Sequence, residues 1–431
     1  MKKLAISVLL FSALTISAQD HIQWRNDRTG IYPETGLLKT WPAEGPQMLW
    51  HYDGLGEGHS SVAIATGKLY VTGMTDGQGY VYVFDMNGKL LNKKPYGKEW
   101  DKNYNGSRGT VTVNDGKVYV IAGMGDLACL DANTLDMIWK KNILTDFDAP
   151  NIEWGINESP LIIGDKLIAT PGGKKHNMVA LNKNTGELVW SCPGEGNISA
   201  YCSPLYITDQ QVPLIVTHTA DHVIGVDAET GKKLWSYEIK NKYSVHANTP
   251  VYSDGMLLCT SGYGKGSTML RLTNGGRNVE KAWEATELDN RIGAMVKVGD
   301  YAYGSGDTNR YWFCVNWKTG EISYKERGLA MGNIIYADGL LYCYSDRGEM
   351  ALVKPDPAKL DVVSKFMITM GTDQHWAHPV IHKGVMFSPE GIPFSGEGRG
   401  SFCISHKIFS DHYIVCRTCQ PFRTIIRPGF M

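Results

Sequence analysis

The chain has 431 residues, with 43 Lys and Arg against 44 Asp and Glu, for a formal net charge of −1. That balance lacks the basic excess of a nucleic-acid-binding surface, and a hydrophobic share of 43% with 20% charged residues argues against an acidic disordered chain. Forty-eight glycines, 22 tyrosines and 12 tryptophans point to many short strands joined by tight turns.

At the N-terminus, Lys2 and Lys3 precede an apolar run from Leu4 to Ile16 and then the small pair Ser17-Ala18. This pattern predicts a cleavable signal peptide over 1–18, with Gln19 as the mature start. No cysteine sits beside that cut, so no lipid anchor is expected there, and no later apolar run reaches the ~18 residues of a membrane span. The expected location is periplasmic or secreted.

Residues 19–387 read as one repeat domain. Segment 47–53, QMLWHYD, looks like a closing strand bearing Trp50 with no unit in front of it. From there two phrases alternate. The first is an apolar strand, a turn of the Asp-Gly or Gly-Asp kind and a returning strand. It reads VAIATGKLYV at 62–71, VTVNDGKVYV at 111–120, LIIGDKLIA at 161–169, VYSDGMLLC at 251–259, VKVGDYAYG at 296–304, IYADGLLYC at 335–343 and VIHKGVMF at 380–387. A further copy, LYITDQQVPLIV at 205–216, has lost its glycine. The second phrase is an apolar pair, Asp or Asn, a Thr-Gly turn and an aromatic. It reads LDANTLDMIW at 130–139, LNKNTGELVW at 181–190 and VDAETGKKLW at 226–235, with looser copies at 84–91, 272–283 and 315–324. Asn, Asp and Gly accept the unusual turn dihedrals, and the flanking apolar residues are strand faces. Trp50, Trp139, Trp190, Trp235 and Trp283 are large apolar plates expected to dock on the neighbouring unit.

Eight copies at a period of roughly 40–50 residues, each with four short strands, predict an all-β fold: an eight-bladed β-propeller of four-stranded blades with tryptophan docking. A helical solenoid would need sustained 3.6-residue periodicity, and none is present. Closing the ring makes Gln47–Asp53 the outer strand of the eighth blade, which removes exposed sheet edges.

The Asp-x-x-Thr-Gly-x-x-x-Trp phrase is similar to the docking motif of pyrroloquinoline-quinone (PQQ)-like propellers. That superfamily includes quinoprotein alcohol dehydrogenases and the propeller lipoprotein of the outer-membrane assembly machinery. The resemblance covers about 24–387 and specifies fold far more than activity, because the motif is a packing device. For an enzyme of this family it implies a calcium held by Glu, Asn and Asp, a catalytic Asp, a tryptophan floor and a disulfide between adjacent cysteines. Glu158 with Asn157 offers two oxygen ligands, and Trp154 or Trp376 an aromatic floor. There is no Cys-Cys pair, and no Asp lies among the mouth residues named next. No cofactor is therefore expected, PQQ with calcium being the alternative.

In a propeller the ligand site lies where blades converge on the central channel. Inner-strand entries fall at Ser61, Thr110, Ser159, Ser203, Thr249, Ala294, Asn333 and His378, mostly small or polar as a crowded axis requires. Residues just upstream are expected to line one mouth: His59, Arg108, Trp154, Asn157, Glu158, His246, Asn248, Arg291, His375 and Trp376. Aromatics, imidazoles, amides and charges from separate blades are the mixture a polar ligand needs.

Cys129, Cys259, Cys314 and Cys343 fall at repeat positions held elsewhere by apolar residues, so they read as buried packing. Cys192 and Cys202 are irregular, and a bridge between them is left open. His218 and His222 have the spacing of a helical zinc pair but sit in a strand–turn–strand context that aims the rings apart, so no metal site is expected.

After Phe387 the pattern stops. Segment 388–431 carries no docking phrase and is expected to be an aberrant tail, poorly ordered or read in a shifted frame. The eighth blade is then short of its third strand, with IVCRT at 414–418 and RTIIR at 423–427 as the only β-rich pieces on offer. A cluster of Cys403, His406, His412, Cys416 and Cys419 holds one Cys-x-x-Cys pair with irregularly spaced histidines, a weak match to a zinc knuckle. The function expected is that of a binding or scaffold protein taking a protein, a small polar ligand or a carbohydrate at the channel mouth, with a quinone-dependent alcohol or sugar dehydrogenase as the alternative.

Overall fold

The computed structural model describes residues 20–194, 197–371, 374–390 and 402–408. The expected signal peptide and the pieces at 414–418 and 423–427 lie outside these residues. Eight antiparallel sheets follow one another around a central channel. Blade 1 is Ala63–Ala65, Lys68–Thr75, Gln78–Asp85 and Leu90–Lys98; blade 2 is Thr112–Asn114, Lys117–Ile121, Asp126–Asp131 and Met137–Asn142. Blade 3 is Leu161–Ile163, Lys166–Ala169, Met178–Asn182 and Leu188–Cys192; blade 4 is Leu205–Ile207, Leu214–His218, His222–Asp227 and Lys233–Glu238. Blade 5 is Val251–Ser253, Met256–Ser261, Gly266–Thr273 and Asn278–Ala285; blade 6 is Met295–Val298, Tyr301–Ser305, Trp312–Asn316 and Ile322–Glu326. Blade 7 is Gly332–Ala337, Leu340–Ser345, Glu349–Lys354 and Asp361–Met367, and its inner strand also pairs in parallel with Ile31–Tyr32. Blade 8 is Val380–His382, Val385–Glu390, Phe402–Lys407 and, from the other end of the chain, Met48–Tyr52.

The inner hairpins close as their turn residues dictate. Asp115 and Gly116 both have positive φ, 47° and 71°, the pattern of a type I′ turn whose twist matches that of the strands. The docking phrase is an Asx turn. Asp227 Oδ1 accepts the backbone N–H groups of Glu229 and Thr230 at 2.9 and 3.0 Å, and Asn182 and Asn316 repeat the pattern. Burial then falls between blades, where the inner faces of neighbouring sheets form successive apolar clusters.

The tryptophans stitch one blade to the next. The indole N–H of Trp139 donates to Lys183 O at 3.0 Å, that of Trp235 to Gly276 O at 3.1 Å and that of Trp283 to Trp317 O at 3.0 Å. Trp50, in blade 8, donates to Met86 O of blade 1 at 3.1 Å, so the stitch also runs across the closure.

That closure corrects the expectation of a missing strand. Phe402–Lys407 pairs on one side with Val385–Glu390 and on the other with Met48–Tyr52, so blade 8 has all four strands and the propeller extends past 387 to Ile408. FCISHK opens no docking phrase, because the outer strand of this blade is Met48–Tyr52 and not the residues that follow it. Trp41 packs edge-on against Phe366 at 5.2 Å between ring centres, and a turn closed by Gly45 N–H to Pro42 O at 2.9 Å lies beside it, covering blade 7 where that phrase would sit.

No disulfide joins Cys192 to Cys202; both are buried, as are Cys129, Cys259, Cys314 and Cys343. Cys202 points its thiol at the Ser203 and Asn248 carbonyls, each at 3.4 Å, and burial pushes it up to about 11. His218 and His222 open onto different surroundings: His218 stacks on His246 at 4.8 Å, and His222 meets the Asn197 amide at 3.0 Å. Among the described residues, no helix is long and apolar enough to cross a membrane.

Candidate functional site at the channel mouth

The inner-strand entries form a hydrogen-bonded ring. The Ser61 N–H donates to Thr110 Oγ1 at 3.0 Å, Thr110 N–H to Ser159 Oγ at 3.0 Å and Ser159 N–H to Ser203 Oγ at 2.9 Å. Ser61 Oγ donates in turn to His378 O at 2.9 Å, which joins blade 1 to blade 8. A short hydroxyl is the smallest group that satisfies a backbone donor one blade away, which accounts for the run of Ser and Thr.

The N-terminal segment crosses the channel beneath this ring, an arrangement not expected from sequence. Arg25 is buried and donates to Ile334 O at 2.8 Å and Met295 O at 3.1 Å, and its Nη1 meets His378 Nδ1 at 2.9 Å. Arg28 donates to Ser159 O and Pro160 O at 3.1 and 2.8 Å on the other side of the ring. Burial lowers both guanidinium groups to about 10, so both remain cations held by carbonyl dipoles. Together they plug the channel.

Above the plug lies a cavity of about 450 Å³. Seven of the expected residues line it: His59, Arg108, Trp154, Asn157, Asn248, Arg291 and Trp376. Three do not. Glu158 is buried behind the wall with Oε1 accepting the Thr170 N–H at 2.6 Å, His246 turns to Ala220 O at 3.1 Å, and His375 pairs with the Tyr344 hydroxyl at 2.6 Å. A one-residue step reverses the side chain's direction, which separates Glu158 from Asn157 and His375 from Trp376. Tyr104, Tyr201, Tyr243 and Tyr263 join the wall, and Trp24 of the plug enters from below. Tyr201 stands two residues before Ser203, as His59, Arg108, Asn157 and Trp376 stand before their own inner-strand entries, so its place was legible in the sequence; Tyr104, Tyr243 and Tyr263 lie in loops without a repeat position.

Arg108 precedes blade 2 and Arg291 precedes blade 6, which sets the two guanidinium groups on opposite sides of an eight-blade ring. Burial lowers Arg108 to about 10, and Glu99 stands behind it, itself pushed up to about 7 by burial. Arg291 pairs with Asp307 at 3.2 Å and lies over the Tyr263 ring at 5.5 Å. Trp376 anchors an aromatic stack, with His59 at 4.9 Å on one side and Tyr104 at 5.7 Å. Burial and the adjacent Arg108 lower His59 to about 3, so it is a neutral ring. The wall therefore offers two cations, flat aromatic faces and amides, and no carboxylate among the described residues.

That composition does not suit a calcium-supported quinone. A hard cation needs anionic oxygen. Glu158, the expected carboxylate ligand, is pushed up to about 7 by burial, and its Oε1 accepts the Thr170 N–H behind the wall.

Comparison with known proteins bears on ancestry. The family model described as outer membrane protein assembly factor BamB matches residues 151–356. A quinoprotein ethanol dehydrogenase of Pseudomonas aeruginosa is 29% identical over 147 residues, 31% of this chain and 23% of that protein. The outer membrane protein assembly factor BamB of Shewanella oneidensis is 24% identical over 205 residues, 47% of this chain and 49% of that protein. The chain thus matches less than half the length of either relative. Among solved structures, a europium-containing methanol dehydrogenase superposes with a TM-score of 0.66 at 12% identity, covering 91% of this chain and 98% of that one, a likeness of fold alone. With docking turns, tryptophan stitching and eight closed blades in place, the chain is an eight-bladed β-propeller similar to PQQ-like propellers on both the assembly-factor and the dehydrogenase side.

Proposed function

We propose that this propeller is a binding protein acting outside the cytoplasm, whose channel-mouth cavity takes a small, planar, anionic ligand without transforming it. The observation that carries the reading is the pairing of Arg108 and Arg291 across a cavity walled by Trp154, Trp376 and tyrosines. A guanidinium presents a planar fork of donors that suits a carboxylate, and stacking on a flat ring adds orientation. The blind floor made by Trp24 and the plug shuts out water from below, which strengthens both interactions.

Relatives on both the assembly-factor and the dehydrogenase side leave a quinone-dependent dehydrogenase as the second reading, favoured by the aromatic wall alone. One titration separates them. Calorimetry with pyridine dicarboxylates and with PQQ, each with and without calcium, is followed by a dye-linked alcohol oxidation assay. Calcium-independent, salt-sensitive binding without dye reduction supports the binder. Calcium-dependent binding with alcohol-driven dye reduction selects the dehydrogenase. Absence of binding for every planar carboxylate rejects the ligand class proposed here.

A further inference from the structure

Away from the cavity, the fold assembles three metal-ligating side chains that no local spacing connects. His21 precedes the channel plug, Glu34 follows it, and His382 ends the inner strand of blade 8. One ligand atom from each lies within 4.8 Å of the others. We propose that His21, Glu34 and His382 bind one borderline divalent cation, zinc by preference, which staples both ends of the plug to the last blade.

The ring of His21 is 1% exposed, and its Nε2 has no hydrogen-bond partner although it is buried. Its Nδ1 lies 3.1 Å from Asn26 Oδ1, an atom that can only accept. Nδ1 therefore carries the proton, and the buried Nε2 keeps its lone pair for a ligand. A ligating histidine whose second nitrogen is held by an amide oxygen is the usual outer-shell arrangement at metal sites. The His21 and His382 rings stand at 88° with centres 5.3 Å apart, so they approach a common point from different directions. Glu34 Oε1 accepts the Lys383 N–H at 2.9 Å, which fixes the carboxylate beside His382 and leaves Oε2 to ligate.

The donor set selects the ion. Two imidazoles and one carboxylate suit zinc and its neighbours and not calcium or magnesium, which prefer all-oxygen sites. Tetrahedral bonds of about 2.1 Å put ligand atoms about 3.4 Å apart, so a span of up to 4.8 Å must close by at most about 1.4 Å. Glu34, the one partly exposed member, is the residue placed to move. The fourth position is left for water. Between His21 and Glu34 the chain carries Trp24, Arg25 and Arg28, so an ion here would hold the plug in the channel without touching the cavity ligand.

The test uses the purified chain stripped with a chelator. Zinc is titrated against a chromogenic chelator, cobalt is added to a second sample, and hydrogen exchange is followed over 20–34. The expected results are one equivalent bound, cobalt ligand-field bands without a thiolate charge-transfer band, and slower exchange over 20–34 when zinc is present. His21→Ala and His382→Ala should each weaken binding by about 100-fold, and Asn26→Ala by about 10-fold. Failure of the unmutated protein to bind either metal overturns the proposal, whatever the variants do. So does a thiolate band, which would place the metal on cysteines of the tail, or unchanged stoichiometry and affinity in the His21→Ala/His382→Ala double variant.

Discussion

A Cβ built on Gly231 meets the Trp190 ring at 2.6 Å, and one on Gly320 meets Trp283 at 2.6 Å. Glycine in the docking turn is thus required twice, for its positive φ of 73° or 75° and for the ring of the preceding blade that lies on it. Blade 1 has no tryptophan in its outer strand, and at the matching position of blade 2 the glycine is Leu135, buried at φ 57°. The leucine side chain fills the space a tryptophan would occupy. Leu135→Gly should therefore destabilise by about 2–4 kcal/mol, lost burial outweighing relief of the left-handed backbone, as read by chemical denaturation. Trp235→Ala should cost about 3–5 kcal/mol through its cavity and lost stitch to Gly276. Titration acts at the same scale. Burial raises Glu99 and Glu158 from 4.5 to about 7, and lowers His59 from 6.5 to about 3 and His246 and His375 to about 4. The histidines contribute stability that is present above 6.5 and lost as pH falls towards 4. The carboxyls contribute stability that is present below 4.5 and lost as pH rises through 7. Burial also lowers His21, His218, His378 and His406, so the melting temperature should fall as pH drops below 6.5, while the raised carboxyls lower it as pH rises through 7. Glu158→Gln should flatten the decline on the alkaline side, and an unchanged decline would show that Glu158 is ionised in the fold.

At the scale of elements, the hairpins and the plug contrast in what holds them. Seven of the eight inner hairpins carry a glycine turn, so they are legible locally: an Asp-Gly pair at positive φ between two apolar strands, as at Asp115-Gly116, Asp254-Gly255 and Asp338-Gly339, has few other solutions. The plug, Trp24 to Gly30, has no such local logic. Its Arg25, Asn26, Asp27 and Arg28 all have positive φ, which is costly for non-glycine residues and is sustained by the carbonyls that take up Arg25 and Arg28. Removing one anchor should release it. Arg25→Met keeps volume but drops the bonds to Ile334 and Met295. Hydrogen exchange over 21–32 should then accelerate by at least about tenfold, the outcome of losing roughly 1.5–3 kcal/mol of charged hydrogen bonding, while blades 3 to 5 stay unchanged.

For the whole molecule, closure decides cooperativity. Because Phe402–Lys407 pairs with strands from both parts of the chain, blade 8 is complete and is joined to blade 1, so the ring is closed. Amides of 48–52 should therefore be as protected as the outer strands of blades 2 to 5. A chain ending at Glu390 should lose that protection and broaden its unfolding transition, since blade 8 would keep two strands and blade 1 a single neighbour. Equal protection in the shortened chain would mean that Met48–Tyr52 is held by Trp50 alone.

Period, turn chemistry and docking aromatics are local properties repeated along the chain, and they determined the all-β class, the eight blades, their order and the buried cysteines without reference to any contact. They also placed seven of ten mouth residues, because inner-strand entry is set by distance from the turn. Only the tertiary structure decided the rest. Strand FCISHK is short and lacks a motif, so its place follows from two partners, one of them more than 350 residues away. Whether Glu158 or Asn157 faces the cavity turns on a one-residue alternation in an irregular loop. The plug and the His21, Glu34 and His382 cluster join residues whose sequence separations carry no period, and such contacts become visible only when the ring has closed.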